Sequence, residues 1–395
     1  MAVEMIGGPR LCEPWCRLPA GRASRAANAV GGHQTENRLL SFVGFLNTNK
    51  LLDALLYGAD FYIGEGDHAM PTDKIWSMLA ALLIVVWAGS GAHAEGFFRT
   101  QNLMVPTVTL TVQQFLTGDK NGKPTVVAGE LYLPGPATSN EKLPAVILVP
   151  GLGGATSSHE RWARELNNIG VAAFVLDSFA PRGLYTMSVQ PQLPALAIMV
   201  DAYRALDLLA QHPSIDPTRI AIMGFSYGTI AAVYSSNERF RKVYGPSTAQ
   251  FAAHIGLYSV CHITFHEDTI TTGKPIRLFH GVADEATSIV PCRSYVERLK
   301  KAGADVTLTE FPDAHHGYDW IEFPNPVLLA QAPTARNCVV EEGTNGQLTN
   351  SKTGKPIDLT DPCLEKGWHF VYNAAAYEAT LQSVKQLLKE KFALK

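Results

Sequence analysis

The arrangement of apolar and polar positions becomes regular at about residue 105. Two extended segments, VPTVTLTVQQF (105–115) and TVVAGELYLP (125–134), flank the turn sequence Gly118-Asp119-Lys120-Asn121-Gly122 and predict an antiparallel hairpin. PAVILVPG (144–151) is a continuous apolar run of the kind buried on both faces of a parallel sheet. Helical spacing follows from His159 to Ile169, then a strand, VAAFVLD (171–177), then a helix from Leu193 to His212 with Ala202, Leu206 and Leu209 on one face. RIAIMG (219–224) predicts another strand, and TIAAVYSS, shortly after Ser226, a helix. The alternation continues through FAAHIGLYSV (251–260), PIRLFHG (275–281), a helix from Cys292 to Ala302, and DVTLTEF (305–311). A last amphipathic helix is expected over about 374–392, with Tyr377, Leu381, Val384 and Leu388 on one stripe. This alternation predicts the α/β class: a mostly parallel central sheet with helices on both faces and an N-terminal antiparallel hairpin.

The chain upstream follows a different pattern. From Met70 it reads MPTDKIWSMLAALLIVVWAGSGAHAEG. Lys74 precedes an apolar run, Ile75 to Trp87, too short to span a bilayer comfortably, and small residues follow as far as Ala92-His93-Ala94. These are the parts of a secretory signal peptide over about 70–94, with cleavage before Glu95, although Asp73 weakens its charged end. A transmembrane anchor or a buried helix is the alternative. Residues 1–69, with Cys12, Cys16 and the arginine-rich RLPAGRASRA, would then precede the export signal. A start site assigned too far upstream would explain them; a genuine N-terminal domain is the other reading. Residues 95–395 are a suitable length for one α/β domain.

Composition narrows the function. The chain is 46% hydrophobic, 17% charged and has a formal charge of −3, without a basic stripe for binding nucleic acid. The sequence carries no phosphate-binding loop, dinucleotide fingerprint or recognised zinc motif, so neither cofactor nor metal is expected. His262 and His266 beside Glu267 and Asp268 form the one arrangement worth weighing as a metal site, and no thiolate accompanies them.

The segment AIMGFSYGTI (221–230) contains G-x-S-x-G around Ser226, between an expected strand and an expected helix. Gly224 and Gly228 permit a cramped strand-to-helix turn, which lifts the hydroxyl above the sheet and turns helical N–H groups toward a developing oxyanion. A serine hydroxyl needs a base, and the base a carboxylate to orient it. Both are available after later strands: Asp284 in HGVADE, then His315 or His316 in PDAHHGYD. The order Ser, Asp, His is the one that strand–turn–helix nucleophiles use.

PGLGG (150–154), VLDSFAPRG (175–183), DPTRIAIMGFSYG (216–228), LFHGVADEATSIVPC (278–292) and FPDAHHGYD (311–319) together resemble the dienelactone hydrolase family of α/β-hydrolases. The resemblance covers roughly residues 125–320 and the last helix. It implies the α/β-hydrolase fold and a Ser226/Asp284/His316 triad cleaving esters or related acyl compounds. Namesake members carry cysteine where this chain has Ser226, which points toward a more general carboxylesterase than a dienelactone hydrolase. The family pattern sets the base before a small residue and an aromatic, here His316-Gly317-Tyr318, and it prefers Asp284 over Glu285 as the acid. By fold analogy, the oxyanion donors are the backbone N–H groups of Leu152 and Tyr227. A peptidase of the same fold and a non-catalytic binding protein are the alternatives. The expected partner is a small ester, with no stable membrane insertion after signal removal.

Arg182 in APRG is a candidate for contact with a substrate carboxylate, or a brace for its own loop through Asp177. His159, near a helix start, reads as structural. Residues 323–368 are long for a connection and are expected to be an insertion, either a wall or lid of the site or plain decoration. In an oxidising compartment the four cysteines of the mature chain should pair. Cys261 closes one strand and Cys292 opens the helix beyond Asp284 on the same sheet edge, predicting Cys261–Cys292 and leaving Cys338–Cys363 across the insertion. Four buried thiols are the alternative.

Overall fold

The computed structural model describes residues 99–135 and 141–394. The expected signal peptide and the segment before it lie outside these. The central sheet has eight strands: β1 (Arg99–Thr109), β2 (Lys123–Leu133), β3 (Leu143–Val149), β4 (Ala172–Asp177), β5 (Ile215–Phe225), β6 (His254–Leu257), β7 (Ile276–Gly281) and β8 (Val306–Phe311). Their spatial order is β1-β2-β4-β3-β5-β6-β7-β8. The pairs β1/β2 and β2/β4 are antiparallel, and from β4 to β8 every pair is parallel. The α/β class, the mostly parallel sheet and the leading hairpin are thus as the pattern predicts.

The hairpin differs in one respect. The first strand ends at Thr109, and the rest of the expected strand coils into helix α1 (Val112–Thr117). Thr111 caps this helix by accepting the Gln114 N–H, while Gln114 Oε1 accepts the Thr111 N–H. Gly118 ends it at φ +78°, a conformation that costs glycine little.

Strand β3 shows why the sheet is buried on both sides. Ile147 and Val149 join a core layer with α3 (Ala195–Ala210), α4 (Gly228–Tyr234) and α6 (Ile289–Lys301). Val146 and Leu148, one residue out of phase, join the opposite layer with α2 (Ser157–Asn167) and α7 (Ala374–Phe392). Helix α5 (Glu238–Tyr244) was not apparent in the sequence pattern. The four stripe residues of α7, Tyr377, Leu381, Val384 and Leu388, are all buried against the second layer. Each such side chain contributes about 1.5–3 kcal/mol. No helix among the described residues is long and apolar enough to cross a membrane.

The expected strand at 251–260 is only His254–Leu257, because the chain turns sharply at Tyr258, where φ is +40°. The insertion is built of short ladders: Val327–Leu328 with His369–Phe370, Pro333–Thr334 with Glu365–Lys366, and Val340–Glu342 beside Leu348–Asn350. Val340–Glu342 also pairs in parallel with Ile263–Thr264, docking the insertion onto the loop beyond β6. Disulfides join Cys261 to Cys292 and Cys338 to Cys363, the expected pairing.

Candidate active site

The turn between β5 and α4 holds Ser226 at φ +49°, a left-handed conformation that is unfavourable for a residue with a Cβ. Neighbouring glycines make the turn feasible. A Cβ on Gly228 would collide with the carbonyls of Val149 and Pro150, and one on Gly224 would lie 2.6 Å from the Gly228 oxygen. The Ser226 N–H donates to the Leu257 carbonyl at 3.1 Å, tying the turn to β6.

His316 lies between Ser226 and Asp284. Its Nε2 is 2.8 Å from Ser226 Oγ, and its Nδ1 is 2.8 Å from Asp284 Oδ2. Asp284 also accepts the Ala286 and Thr287 N–H groups at 2.8 and 2.9 Å and the Thr287 hydroxyl at 2.9 Å. Burial pushes this carboxyl up, but the adjacent His316 and these donors outweigh it, so the net shift is below the usual carboxylate range. Asp284 therefore stays ionised and fixes the imidazole with Nδ1 protonated and Nε2 free to face the serine.

The ring of His316 is packed on three sides. Tyr258 lies 4.7 Å away, Trp368 meets it edge-on at 4.8 Å, and Phe370 stands at 6.0 Å. Gly317 leaves room for this, since any Cβ there would strike the Phe370 ring. Beneath the loop, the fully buried Asp319 accepts from Ser158, Trp162 and Tyr258 at 2.9, 2.9 and 3.0 Å. Burial raises its pKa despite those donors.

The alternatives named from sequence fall elsewhere. His315 does not bridge Ser226 and Asp284. Glu285 turns to the insertion, where its carboxylate accepts the His369 N–H and meets Nδ1 at 2.6 Å. Arg182 does not line the cavity around Ser226. Its guanidinium forks onto the buried Asp201 at 2.7 and 3.0 Å and donates to Ser178 and Thr109. Arg182 thus braces its loop, through Asp201 and not Asp177, which instead accepts the Phe179 and Ala180 N–H groups. His262 and His266 part company. His266 faces Glu342 at 3.6 Å while His262 enters the cavity, and among the described residues no three metal-ligating side chains converge.

The N–H groups of Leu152 and Tyr227 make no hydrogen bond within the described residues. The loop bearing Leu152 is shaped by Gln190, a buried side chain whose Oε1 accepts the Gly153 N–H at 2.6 Å and whose Nε2 donates to the Leu184 carbonyl. Sequence reasoning missed Gln190, whose partner Gly153 lies on a loop with no local pattern connecting the two. It also missed Thr287, although the Asp284-x-x-Thr287 spacing of a side-chain-stabilised turn was there to find it.

Ser226, His316, Leu152 and Tyr227 open onto a cavity of about 450 Å³, within the range of small-molecule sites. Its far walls come from the insertion, including Thr334, Leu348, Ile357, Leu364, Trp368 and Phe370.

Several solved structures resemble the chain. A dienelactone hydrolase-like promiscuous phosphotriesterase from metagenomic libraries shares 16% identity, covering 74% of this chain and 98% of its own, at a TM-score of 0.46. Thermogutta terrifontis esterase 2 phosphonylated by cyclosarin shares 18%, covering 67% and 90%, at 0.45. A putative dienelactone hydrolase from Klebsiella pneumoniae subsp. pneumoniae shares 15%, covering 55% and 88%, at 0.40. No curated protein matches the chain. The model of the dienelactone hydrolase family matches residues 130–327, half of the sequence, and spans the β5–α4 turn, Asp284 and His316. By this match, and with the α/β-hydrolase fold it implies already seen in the sheet, the chain belongs to the dienelactone hydrolase family and is a hydrolase.

Proposed function

We propose that this hydrolase cleaves carboxylic esters or lactones through an acyl-enzyme on Ser226. The observation that carries the reading is the unbroken chain of 2.8 Å contacts from Ser226 Oγ through His316 to Asp284. His316 Nε2 takes the hydroxyl proton as Oγ attacks the acyl carbon. Asp284 stays charged and stabilises the imidazolium that forms. The tetrahedral oxyanion accepts the Leu152 and Tyr227 N–H groups, which no acceptor among the described residues occupies. Collapse expels the alcohol, which takes the proton from His316. Water, deprotonated at the same nitrogen, then attacks the acyl carbon, and Ser226 leaves with the proton restored.

The Cys261–Cys292 and Cys338–Cys363 disulfides support residence in an oxidising compartment, the periplasm being the proposed one. We read residues 70–94 as the signal that delivers the chain there and 95–395 as the hydrolase domain. Intact-mass analysis in the native host should find Glu95 first; a chain beginning near Met1 would reject this processing.

The test of the nucleophile is a fluorophosphonate probe on the intact protein, with the adduct mapped by mass spectrometry. Adduct on Ser226 is expected. A protein inert to the probe, and to p-nitrophenyl esters, would favour a binding role instead.

A further inference from the structure

The cavity contains a second imidazole that the proposed chemistry does not use. His262 lines it together with Ser226, and its side chain has no hydrogen-bond partner among the described residues. Its backbone is held from both directions. Cys261 is bonded to Cys292, the His262 carbonyl accepts the Val340 N–H at 2.9 Å, and Ile263 pairs with Val340 of the insertion. A side chain so anchored, yet left unpaired at its polar end, is placed to meet something that enters the cavity.

The surroundings define what that would be. The cavity lining is mainly apolar, Ile230, Val260, Ile263, Leu348, Ile357 and Leu364 among it, with Asp358 and Arg336 as its charged residues. Desolvation draws the His262 pKa down to about 4, so the ring is uncharged at neutral pH and offers one N–H donor and one nitrogen acceptor. Two arginines suited to holding a carboxylate are engaged elsewhere. Arg182 is on Asp201, and Arg336, which does line the cavity, donates to Glu365 and the Gly367 carbonyl. The fit is to an uncharged ligand that is largely hydrocarbon with one further oxygen.

We propose that His262 is a specificity-determining residue, donating a hydrogen bond to a second, uncharged oxygen function of an otherwise apolar ester. The proposal rests on the reading of Ser226 as an ester-cleaving nucleophile. Water can satisfy the ring in the free enzyme. A plain alkyl chain would displace that water and leave the donor unpaired, whereas an ether, ketone or hydroxyl oxygen at the same point would replace it. Sites built around such a donor discriminate against ligands lacking its partner.

The test uses the full domain and matched p-nitrophenyl and alkyl esters in which one methylene at a time, along the acyl or the alcohol chain, is replaced by an ether oxygen. In the parent, one position should raise kcat/KM about 10–100-fold over the all-carbon ester. His262→Leu should abolish that preference and cleave the all-carbon ester as well as or better than the parent. His262→Gln, which keeps a donor, should retain part of it. Identical ranking of all esters by parent and His262→Leu would overturn the proposal, and so would a parent with no preferred position. Should the parent cleave none of them, the esterase reading fails separately, and calorimetry of ether alcohols then decides for His262. Weaker binding by His262→Leu than by the parent supports it, and equal binding rejects it.

Discussion

The Thr334 hydroxyl donates to the Ala286 carbonyl at 2.7 Å, and so joins the insertion to the turn that carries Asp284. Ala286 in turn donates its N–H to Asp284, so a movement of Thr334 passes through one residue to the proposed acid. His369 grips the same turn from the other side through Glu285. Thr334→Val should therefore lower kcat more than it raises KM, by a factor of about 5–30, the equivalent of one buried hydrogen bond with its unsatisfied carbonyl. A change confined to KM would mean that the insertion only walls the cavity.

Ser226→Ala should reduce p-nitrophenyl acetate hydrolysis by about 10⁶ in kcat. Alanine keeps the Cβ and with it the strain of φ +49°. Ser226→Gly releases that strain and should be more stable than Ser226→Ala by about 1–3 kcal/mol. Chemical denaturation of both variants checks this. Activity within tenfold of the parent would remove Ser226 from the proposed role, and equal stabilities would show the turn to be unstrained.

Arg182 and Asp201 form a buried pair, with side chains 8% and 0% exposed. Arg182→Ala leaves the Asp201 carboxylate without its cation and should cost about 3–5 kcal/mol of stability. Specific activity of the fraction that remains folded should hold near that of the parent, since Arg182 does not line the cavity. A substrate-carboxylate role would reverse this result, with KM for acidic esters rising and the melting temperature unchanged.

The contrast between Arg182 and Ser226 shows what the sequence made legible. Ser226, Asp284 and His316 lie one, three and five residues beyond the ends of β5, β7 and β8, so strand recognition located all three, and their order supplied the relationship. Cys261 and Cys292 could be paired for the same reason, being placed near a strand end and a helix start, and Cys338 and Cys363 followed as the two that remained. Arg182 was read against Asp177, five residues away, whereas its partner Asp201 is one helix later and reaches it only because α3 packs beside the hairpin. Gln190 and Gly153, thirty-seven positions apart, have no periodicity connecting them. The end of β1 was legible in principle, because Thr111 and Gln114 have capping-box spacing, but the β-branched run around them favoured a strand.

The Cys261–Cys292 bridge closes a loop with a sequence separation of 31 and backs the wall that carries His262. The chain-entropy view assigns such a loop about 3.5–4 kcal/mol. Replacing both cysteines with alanine should lower the denaturation midpoint accordingly. Activity should fall before unfolding begins, because the Asp284 turn leads directly into the helix bearing Cys292. Reduced protein with full activity up to its melting point would show that the bridge serves stability alone.

Acid should destabilise the fold well before its carboxylates titrate. His159 and His254 are 2% and 1% exposed, and burial lowers them to about 3 and about 4. Backbone hydrogen bonds at Thr156 and Ala232 oppose this only in part, and the charges of Arg161 and Lys274 lower the two rings further. In the unfolded chain both titrate near 6.5. Between about pH 6.5 and pH 4, then, the unfolded state binds up to two more protons than the native state at these sites. Since stability rises with pH wherever the unfolded state is the more protonated, it must fall as pH is lowered through this window. The slope approaches about 1.4 kcal/mol per pH unit for each histidine. His262 and His280, also lowered by burial, add to it with the same sign, while Asp201 and Asp319, raised by burial, oppose it toward the acid end. Urea midpoints at pH 7, 6 and 5 should descend steeply, and His254→Asn should flatten the profile by about one proton. A midpoint constant from pH 7 to pH 5 would contradict the burial of these rings in neutral form.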